Sequence, residues 1–273
     1  MPERSQFKAS QRQTLAGPSS EAQPGAFFIK PGYQERSQPE YFQDSGLRRA
    51  GVVYQPAVYQ LAAQLARRFC SSYVVDIGCG SGEKLAALHP EFELIGVDFG
   101  SNLVECRRRY PFGRWIGWDL EAPDIIPLGP DVLSSCIVVC SDVIEHLLDP
   151  SNLLKNLKVF LDHAAAAILT TPERDLVRGL GDFGPPANLA HVREWNLQEL
   201  ELLLRSKGLH VGYAGLTFNN DRDLEKTTSL VILENNRRST KSVAPDHWQV
   251  ISLSLFWLSL QMRQLFRRVT RPR

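Results

Sequence analysis

From residue 55 to residue 235 the chain alternates short apolar runs with stretches whose apolar residues recur every three or four positions. Tyr73 to Ile77, Glu93 to Asp98, Cys136 to Cys140 and Ala165 to Thr170 read as short strands buried on both faces, and Arg114 to Asp119 as a weaker one. Between them lie helical patterns. Pro56 to Arg68 places Val58, Leu61, Ala62 and Leu65 on one side, and Glu83 to His89 is stopped by Pro90. Ser101 opens a helix that Pro111 ends, and Leu153 to Leu161 follows Pro150 at a helix start. Asn196, with Glu199 three residues on, forms a capping-box start to a helix closing at Gly208. His210 to Thr217 and Ser229 to Glu234 are two last strands, joined only by the polar stretch from Asn219 to Thr228. The pattern predicts an α/β fold: a doubly wound, Rossmann-like sheet of seven strands, mostly parallel, with an antiparallel hairpin at its edge.

Outside that region the pattern changes. Residues 1–25 are rich in Gln, Ser and Pro and read as a disordered tail, without the apolar run of a signal peptide. Residues 26–54 mix Phe27, Phe28, Tyr33, Tyr41 and Phe42 with charges and read as an ordered lead-in or cap. Residues 55–235 form the main domain, and 236–273 a basic extension. From Arg237 to Arg273 eight basic residues face one acidic residue, Asp246. Within it Trp248, Ile251, Leu255, Leu258 and Met262 share one side of a helical pattern closed by arginines. Peripheral contact with an anionic membrane is one expectation for this segment; packing on the domain or on a second subunit is the other. Oligomeric state is left open.

The net charge of +1 argues against a nucleic-acid partner. Five cysteines without a Cys-x-x-Cys pair suit reduced thiols in a cytoplasmic protein, with membrane association as the variant the extension suggests.

The chemistry concentrates in Val74 to Gly82, where an apolar strand runs into glycines at alternate positions, Gly78, Gly80 and Gly82, ahead of a helix. Such a first βα turn lets a ligand lie against the backbone. The second strand ends in Asp98, 20 residues after Gly78, where a carboxylate can accept from both hydroxyls of a ribose. A dinucleotide site wants Gly-x-Gly-x-x-Gly and a helix N-terminus facing pyrophosphate. Here the spacing is Gly-x-Gly-x-Gly with Glu83 next, a carboxylate that repels phosphate and tolerates an ammonium group.

On these residues the sequence resembles the class I S-adenosylmethionine-dependent methyltransferases, whose Asp-x-Gly-x-Gly-x-Gly signature matches Asp76 to Gly82. Ser141 to Leu147, with Asp142, Glu145 and His146, resembles the branch of ubiquinone-biosynthesis-type and bacterial small-molecule and glycan methyltransferases. The resemblance covers roughly residues 55–235 and implies an enzyme with S-adenosyl-L-methionine as cofactor. It implies a cofactor site of Asp76, Gly78, Cys79, Gly80, Gly82, Asp98, Phe99, Asp119, Leu120 and Ser141. Gly78 and Gly80 would lie on the methionine part and Asp98 on the ribose. Phe99 would flank the adenine, Asp119 would accept from its amine, and backbone near Ser141 would complete the pocket. Lys84 has no role in this reading.

An oxygen acceptor benefits from a general base, and a histidine suits that task. His146, after the fourth strand, and His191, after the fifth, are the catalytic candidates, both at the functional edge of such a sheet. The competing reading of each is structural: the start of a helix for His146 and a cap for His191. Asp182 to Ala187 is turn-rich and reads as a lid over the acceptor or a plain surface loop. No metal is expected, since no second acidic residue stands at convincing spacing from Asp142. The expected acceptor is a small molecule or a glycan, methylated on oxygen. Alternatives are N-methylation of a small molecule and a non-catalytic cofactor-binding module. A nicotinamide oxidoreductase is disfavoured by the glycine spacing.

Overall fold

The structure, a computed structural model, describes residues 25–41 and 52–235. Nearly all of the expected N-terminal tail, part of the lead-in and the whole basic extension lie outside the described residues. Among those described, no helix is long and apolar enough to cross a membrane.

The chain builds α1 (Val58–Phe69), β1 (Tyr73–Ile77), α2 (Glu83–Ala86), β2 (Glu93–Asp98), α3 (Ser101–Arg109) and β3 (Arg114–Gly117). Then follow α4 (Pro130–Ser134), β4 (Cys136–Ser141), a single 3-10 turn (Ile144–His146), α5 (Ser151–Leu161) and β5 (Ala166–Pro172). The remainder is α6 (Arg174–Arg178), α7 (Leu197–Ser206), β6 (His210–Thr217) and β7 (Thr228–Glu234). One seven-stranded sheet runs in the order β3-β2-β1-β4-β5-β7-β6. Strands β1 to β5 are parallel, while β7 inserts antiparallel between β5 and β6, from Ala166 opposite Glu234 to Pro172 opposite Thr228. The mostly parallel sheet with an antiparallel edge is the architecture the apolar pattern predicts.

Each face of the sheet carries its own apolar layer. Val58, Leu61, Ala62, Leu65 and Ala66 of α1 pack on one face with Leu85, Leu103 and Cys106. Leu153, Leu157 and Phe160 of α5 and Leu200, Leu203 and Leu204 of α7 cover the other. The strands have no polar face to offer, so both sides must be covered, and residues such as Val75, Val138 and Ile168 are fully buried.

Local chemistry sets the ends. α1 stops at Cys70, whose left-handed φ of 53° turns the chain while Ser71 N donates to the Ala66 carbonyl at 2.8 Å. α7 opens with the expected capping box: Asn196 accepts from Glu199 N at 2.8 Å and Glu199 accepts from Asn196 N at 3.2 Å. The switch between β1 and β4 places the carboxyl ends of β1, β2, β3 and β4 along one rim, where the sequence candidates fall.

Candidate active site

The glycine turn after β1 is held from both sides. Gly78 has φ +74°, and a Cβ built on it would lie 2.3 Å from Cγ2 of Val143, so glycine is the residue that lets the first turn meet the loop after β4. Gly78 N and Cys79 N both donate to the Val97 carbonyl, at 2.8 and 3.1 Å, which ties the turn to β2. Gly80, also left-handed at φ +54°, donates its N–H to Asp98 Oδ2 at 2.7 Å. Asp98 Oδ1 accepts from Phe99 N at 2.7 Å and from Asn102 Nδ2 at 3.4 Å. The carboxylate is thereby fixed across the glycine turn.

Three residues of the signature look inward instead. Asp76 is fully buried and accepts from the Tyr59 hydroxyl at 2.7 Å. The Cys79 thiol is buried beside that of Cys106, and this contact, then burial, pushes its pKa well up. A Cβ on Gly82 would meet the Trp115 ring at 2.8 Å. Their side chains, or the lack of one, shape the turn from behind.

At the end of β2, Phe99 is 47 % exposed. Tyr41 from the lead-in meets it edge-on, with ring centroids 4.8 Å apart, and donates its hydroxyl to the Phe99 carbonyl at 3.0 Å. Burial, then the charge of Asp98, raises the Tyr41 pKa. Trp118 N donates to the Asp98 carbonyl at 2.9 Å, which brings the loop after β3 alongside. There Asp119 is exposed, accepting from Glu121 N at 2.9 Å, and Leu120 is buried.

The end of β4 is polar and strained. Ser141 Oγ pairs with Thr170 Oγ1 at 3.0 Å. Asp142 follows at φ +55°, and Gln55, at φ +50°, donates Nε2 to its two carboxylate oxygens at 2.8 and 3.2 Å. Two non-glycine residues in the left-handed region facing each other mark a place the surrounding structure must enforce. Burial raises the Asp142 pKa, opposed first by the positive charge of Lys84. The Lys84 ammonium lies 5.2 Å from the Tyr59 ring centroid, so the lysine after the glycines sits between α1 and Asp142.

The 3-10 turn then delivers Glu145 and His146 to His191. Ligand atoms of the three all lie within 4.8 Å of one another, and the two imidazoles meet edge-to-face at 4.8 Å. Glu145 is fully buried. Its Oε2 accepts from the Thr171 hydroxyl at 2.9 Å, while Oε1 has no hydrogen-bond partner. Burial, then Asp142, pushes the Glu145 pKa well above the usual carboxylate range. His146 Nδ1 sits 2.8 Å from the Ala190 carbonyl, and burial lowers its pKa to about 4. That value keeps the ring neutral and makes it a weak base at neutral pH. His191 is clamped: Nδ1 is 2.7 Å from Glu194 Oε1 and Nε2 is 2.9 Å from Asn188 Nδ2.

Two arginines with largely buried side chains hold this edge. Arg193 forks onto Glu35 of the lead-in at 2.9 and 3.1 Å and also donates to the Leu147 carbonyl at 3.0 Å. Arg178 ties down the 182–187 loop through Asp182 Oδ1 at 2.7 Å and the carbonyls of Gly184 and Pro185 at 2.8 and 2.9 Å. The turn-rich segment read as a lid or a surface loop is therefore braced. The lead-in runs beside it, with backbone bonds from Gln34, Arg36 and Glu40 to Phe183, Val192 and Leu189.

The structure thus joins Gly78, Gly80, Asp98 and Phe99 at one place, with Ser141 beside them and His146 with His191 one turn further. Sequence reasoning missed Tyr41, Gln55 and Glu145 as members of this edge. The Asp-x-x-Glu-His spacing pointed at Glu145; Tyr41 and Gln55 arrive from outside the strand pattern and had no local signal.

Comparison with known proteins agrees with the geometry. A family model described as a methyltransferase domain matches residues 52–213. The chain is 25% identical over 170 residues to a ubiquinone biosynthesis O-methyltransferase of Coxiella burnetii, a match that covers 56% of this chain and 73% of the relative. It is 31% identical over 188 residues to a Mycobacterium tuberculosis protein named "probable S-adenosylmethionine-dependent methyltransferase", covering 67% of this chain and 62% of that one. Among solved structures, an S-adenosylmethionine-dependent methyltransferase from Clostridium acetobutylicum shares the fold, with a TM-score of 0.50 at 15% identity over 70% of this chain and 95% of that one.

Proposed function

The chain belongs to the methyltransferase domain family, and from that membership we propose that it moves the methyl group of S-adenosylmethionine to an oxygen of a small-molecule acceptor. The cofactor is that of the family and of the mycobacterial relative. The residues present fit it. Gly78 and Gly80, both left-handed, keep Cβ atoms out of the turn, and Asp98 stands fixed across it as a partner for ribose hydroxyls. A pyrophosphate fits poorly, because α2 is only four residues long and begins with Glu83, which gives little helix dipole and an adverse charge.

When bound, the cofactor supplies an electrophilic methyl on a positively charged sulfur. The chain's part is alignment: Gly78 and Gly80 against the methionine part, Asp98 on the ribose, Phe99 and Asp119 around the adenine, Ser141 closing the pocket. Tyr41, braced on Phe99, covers the adenine side.

The observation that carries oxygen as the acceptor atom is the Glu145, His146 and His191 cluster at the same rim, three polar side chains with ligand atoms within 4.8 Å of one another. The Coxiella relative is named an O-methyltransferase, which supports the same choice. Phenolic and sugar hydroxyls both fall in this class.

Calorimetric titration with S-adenosylmethionine should show binding, and Asp98→Ala should weaken it at least about tenfold through loss of charge-assisted hydrogen bonds. Incubation with a panel of catechols, phenols, sugars and amines, read by S-adenosylhomocysteine release, should show turnover with hydroxyl acceptors. Turnover confined to amines would refute the oxygen assignment; no affinity for the cofactor would refute the whole reading.

A further inference from the structure

Lys84 puts a cation directly after the glycine turn, on the second residue of α2. It is partly buried, and its ammonium lies 5.2 Å from the centroid of the Tyr59 ring. That ring is itself fixed, because the Tyr59 hydroxyl donates to Asp76 Oδ2 at 2.7 Å. Among the described residues Lys84 makes no ion pair. An ammonium drawn partly out of water is costly unless an anion meets it. Asp142 feels its charge: burial raises the Asp142 pKa, and the Lys84 ammonium is the largest influence opposing that rise, ahead of the hydrogen bond from Gln55. The two groups are electrostatic neighbours without being a contact pair. The hydrogen bonds of Asp142 come from neutral donors. Gln55 Nε2 reaches Oδ1 at 3.2 Å and Oδ2 at 2.8 Å, and Thr170 Oγ1 reaches Oδ1 at 3.3 Å, so Oδ2 keeps lone-pair capacity. The left-handed backbone at Asp142 and Gln55 is strain spent on holding this carboxylate where it is. Val143, the next residue, packs where a Cβ on Gly78 would lie, so the loop that carries Asp142 borders the glycine turn.

We propose that Lys84 and Asp142 form a two-ended clamp for the amino-acid part of the cofactor, Lys84 meeting its carboxylate and Asp142 its ammonium. A zwitterion of this kind needs a cation and an anion that are near each other but not closed into a pair of their own. Tyr59 supports the ammonium at the start of α2 and Gln55 supports the carboxylate after β4, the two elements that border the turn kept clear by Gly78 and Gly80. Hydrogen bonds between charged partners are roughly twice as strong as neutral ones, so each end of the clamp discriminates. The site therefore prefers a nucleoside that carries a complete amino-acid group. One that keeps the amine but lacks the carboxylate loses the Lys84 end, and one that lacks both loses the whole clamp. The clamp presupposes the S-adenosylmethionine reading above and is independent of whether the acceptor atom is oxygen or nitrogen. It also gives Lys84, unused by the glycine signature, a task in the same pocket.

The full chain is titrated by calorimetry with S-adenosylhomocysteine, with its decarboxylated analogue, which keeps the amine, and with methylthioadenosine, which has neither group. Wild type should bind the first at least about tenfold more tightly than the second. Lys84→Gln should weaken S-adenosylhomocysteine by about 10–100-fold and leave the other two probes within about threefold. Asp142→Asn should weaken both amine-bearing probes by at least about tenfold and leave methylthioadenosine within about threefold. Circular dichroism checks that each variant is folded. A Lys84→Gln loss shared equally by all three probes, or no loss at all, would overturn the clamp, because a lysine that only packs on Tyr59 or balances Asp142 creates no preference among them. If wild type binds none of the probes, the cofactor reading falls and the clamp with it. If wild type binds them and the variants do not change their ranking, the clamp alone falls.

Discussion

Gly78→Ala tests the geometry that brings the glycine turn against the loop after β4. Two costs follow from the structure. An L-residue at φ +74° pays about 1–2 kcal/mol for left-handed backbone. The new Cβ falls 2.3 Å from Val143 Cγ2, 3.1 Å from Cγ1 and 3.3 Å from Cβ. Carbon atoms prefer about 3.5–4.0 Å, so more than about 1 Å of movement is needed. Because even Cβ of Val143 is too near, rotating the valine does not suffice and the backbone must shift, an overpacking cost of about 1–3 kcal/mol. The sum is about 2–5 kcal/mol. Urea unfolding followed by circular dichroism measures it, and calorimetry should show weaker cofactor binding. Val143→Ala alone should cost about 2 kcal/mol for two buried methyl groups. The double variant should fall short of the sum by about 1–2 kcal/mol, since the two Cγ clashes are gone while the φ penalty and the 3.3 Å contact with Cβ of residue 143 stay. Additivity within about 0.5 kcal/mol, or a Gly78→Ala cost under about 1 kcal/mol, would refute the steric account.

Two further outcomes follow. Arg174 is fully buried and forks onto Glu199 at 2.5 and 2.9 Å, while Glu199 also accepts from Lys30 N at 3.0 Å. Glu199→Gln should cost about 1.5–3 kcal/mol in urea unfolding, by replacing one charged partner of a buried guanidinium that keeps Asp175 Oδ1 at 3.0 Å; a loss under about 0.5 kcal/mol would count against that role. Of the five cysteines only Cys70 is exposed, and burial pushes the Cys136 thiol up to about 12. One thiol per chain should react quickly with a disulfide reagent at pH 8 and the others only on unfolding; two or more fast thiols in the folded protein would show the burial to be wrong.

The strands were readable because they are buried on both faces and carry almost nothing but apolar residues, as in Cys136–Ser141. The capping box at Asn196 fixed the start of α7 for the same local reason. Pro130–Ser134 and Arg174–Arg178 were not readable, since five residues make little more than one turn and show no period. At the site, the glycines and Asp98 follow from the strand ends. The pairing of Gln55 with Asp142 across 87 positions, and of Tyr41 with Phe99 across 58, are tertiary contacts without a local pattern. The same holds for His191, whose meeting with His146 depends on the backbone bond from Val192 N to the Glu145 carbonyl at 2.7 Å.

The reversed direction of β7 has a consequence for whatever follows it. Because Glu234 pairs with Ala166 and Asn235 donates to the Ala164 carbonyl at 2.9 Å, the chain leaves the sheet beside the beginning of β5. Seven residues of strand, about 20 Å, separate that exit from the level of Pro172, where the parallel strands finish. A tether, tag or fused domain joined after Asn235 therefore starts from the end of the sheet opposite the one that carries the glycine turn and Asp98.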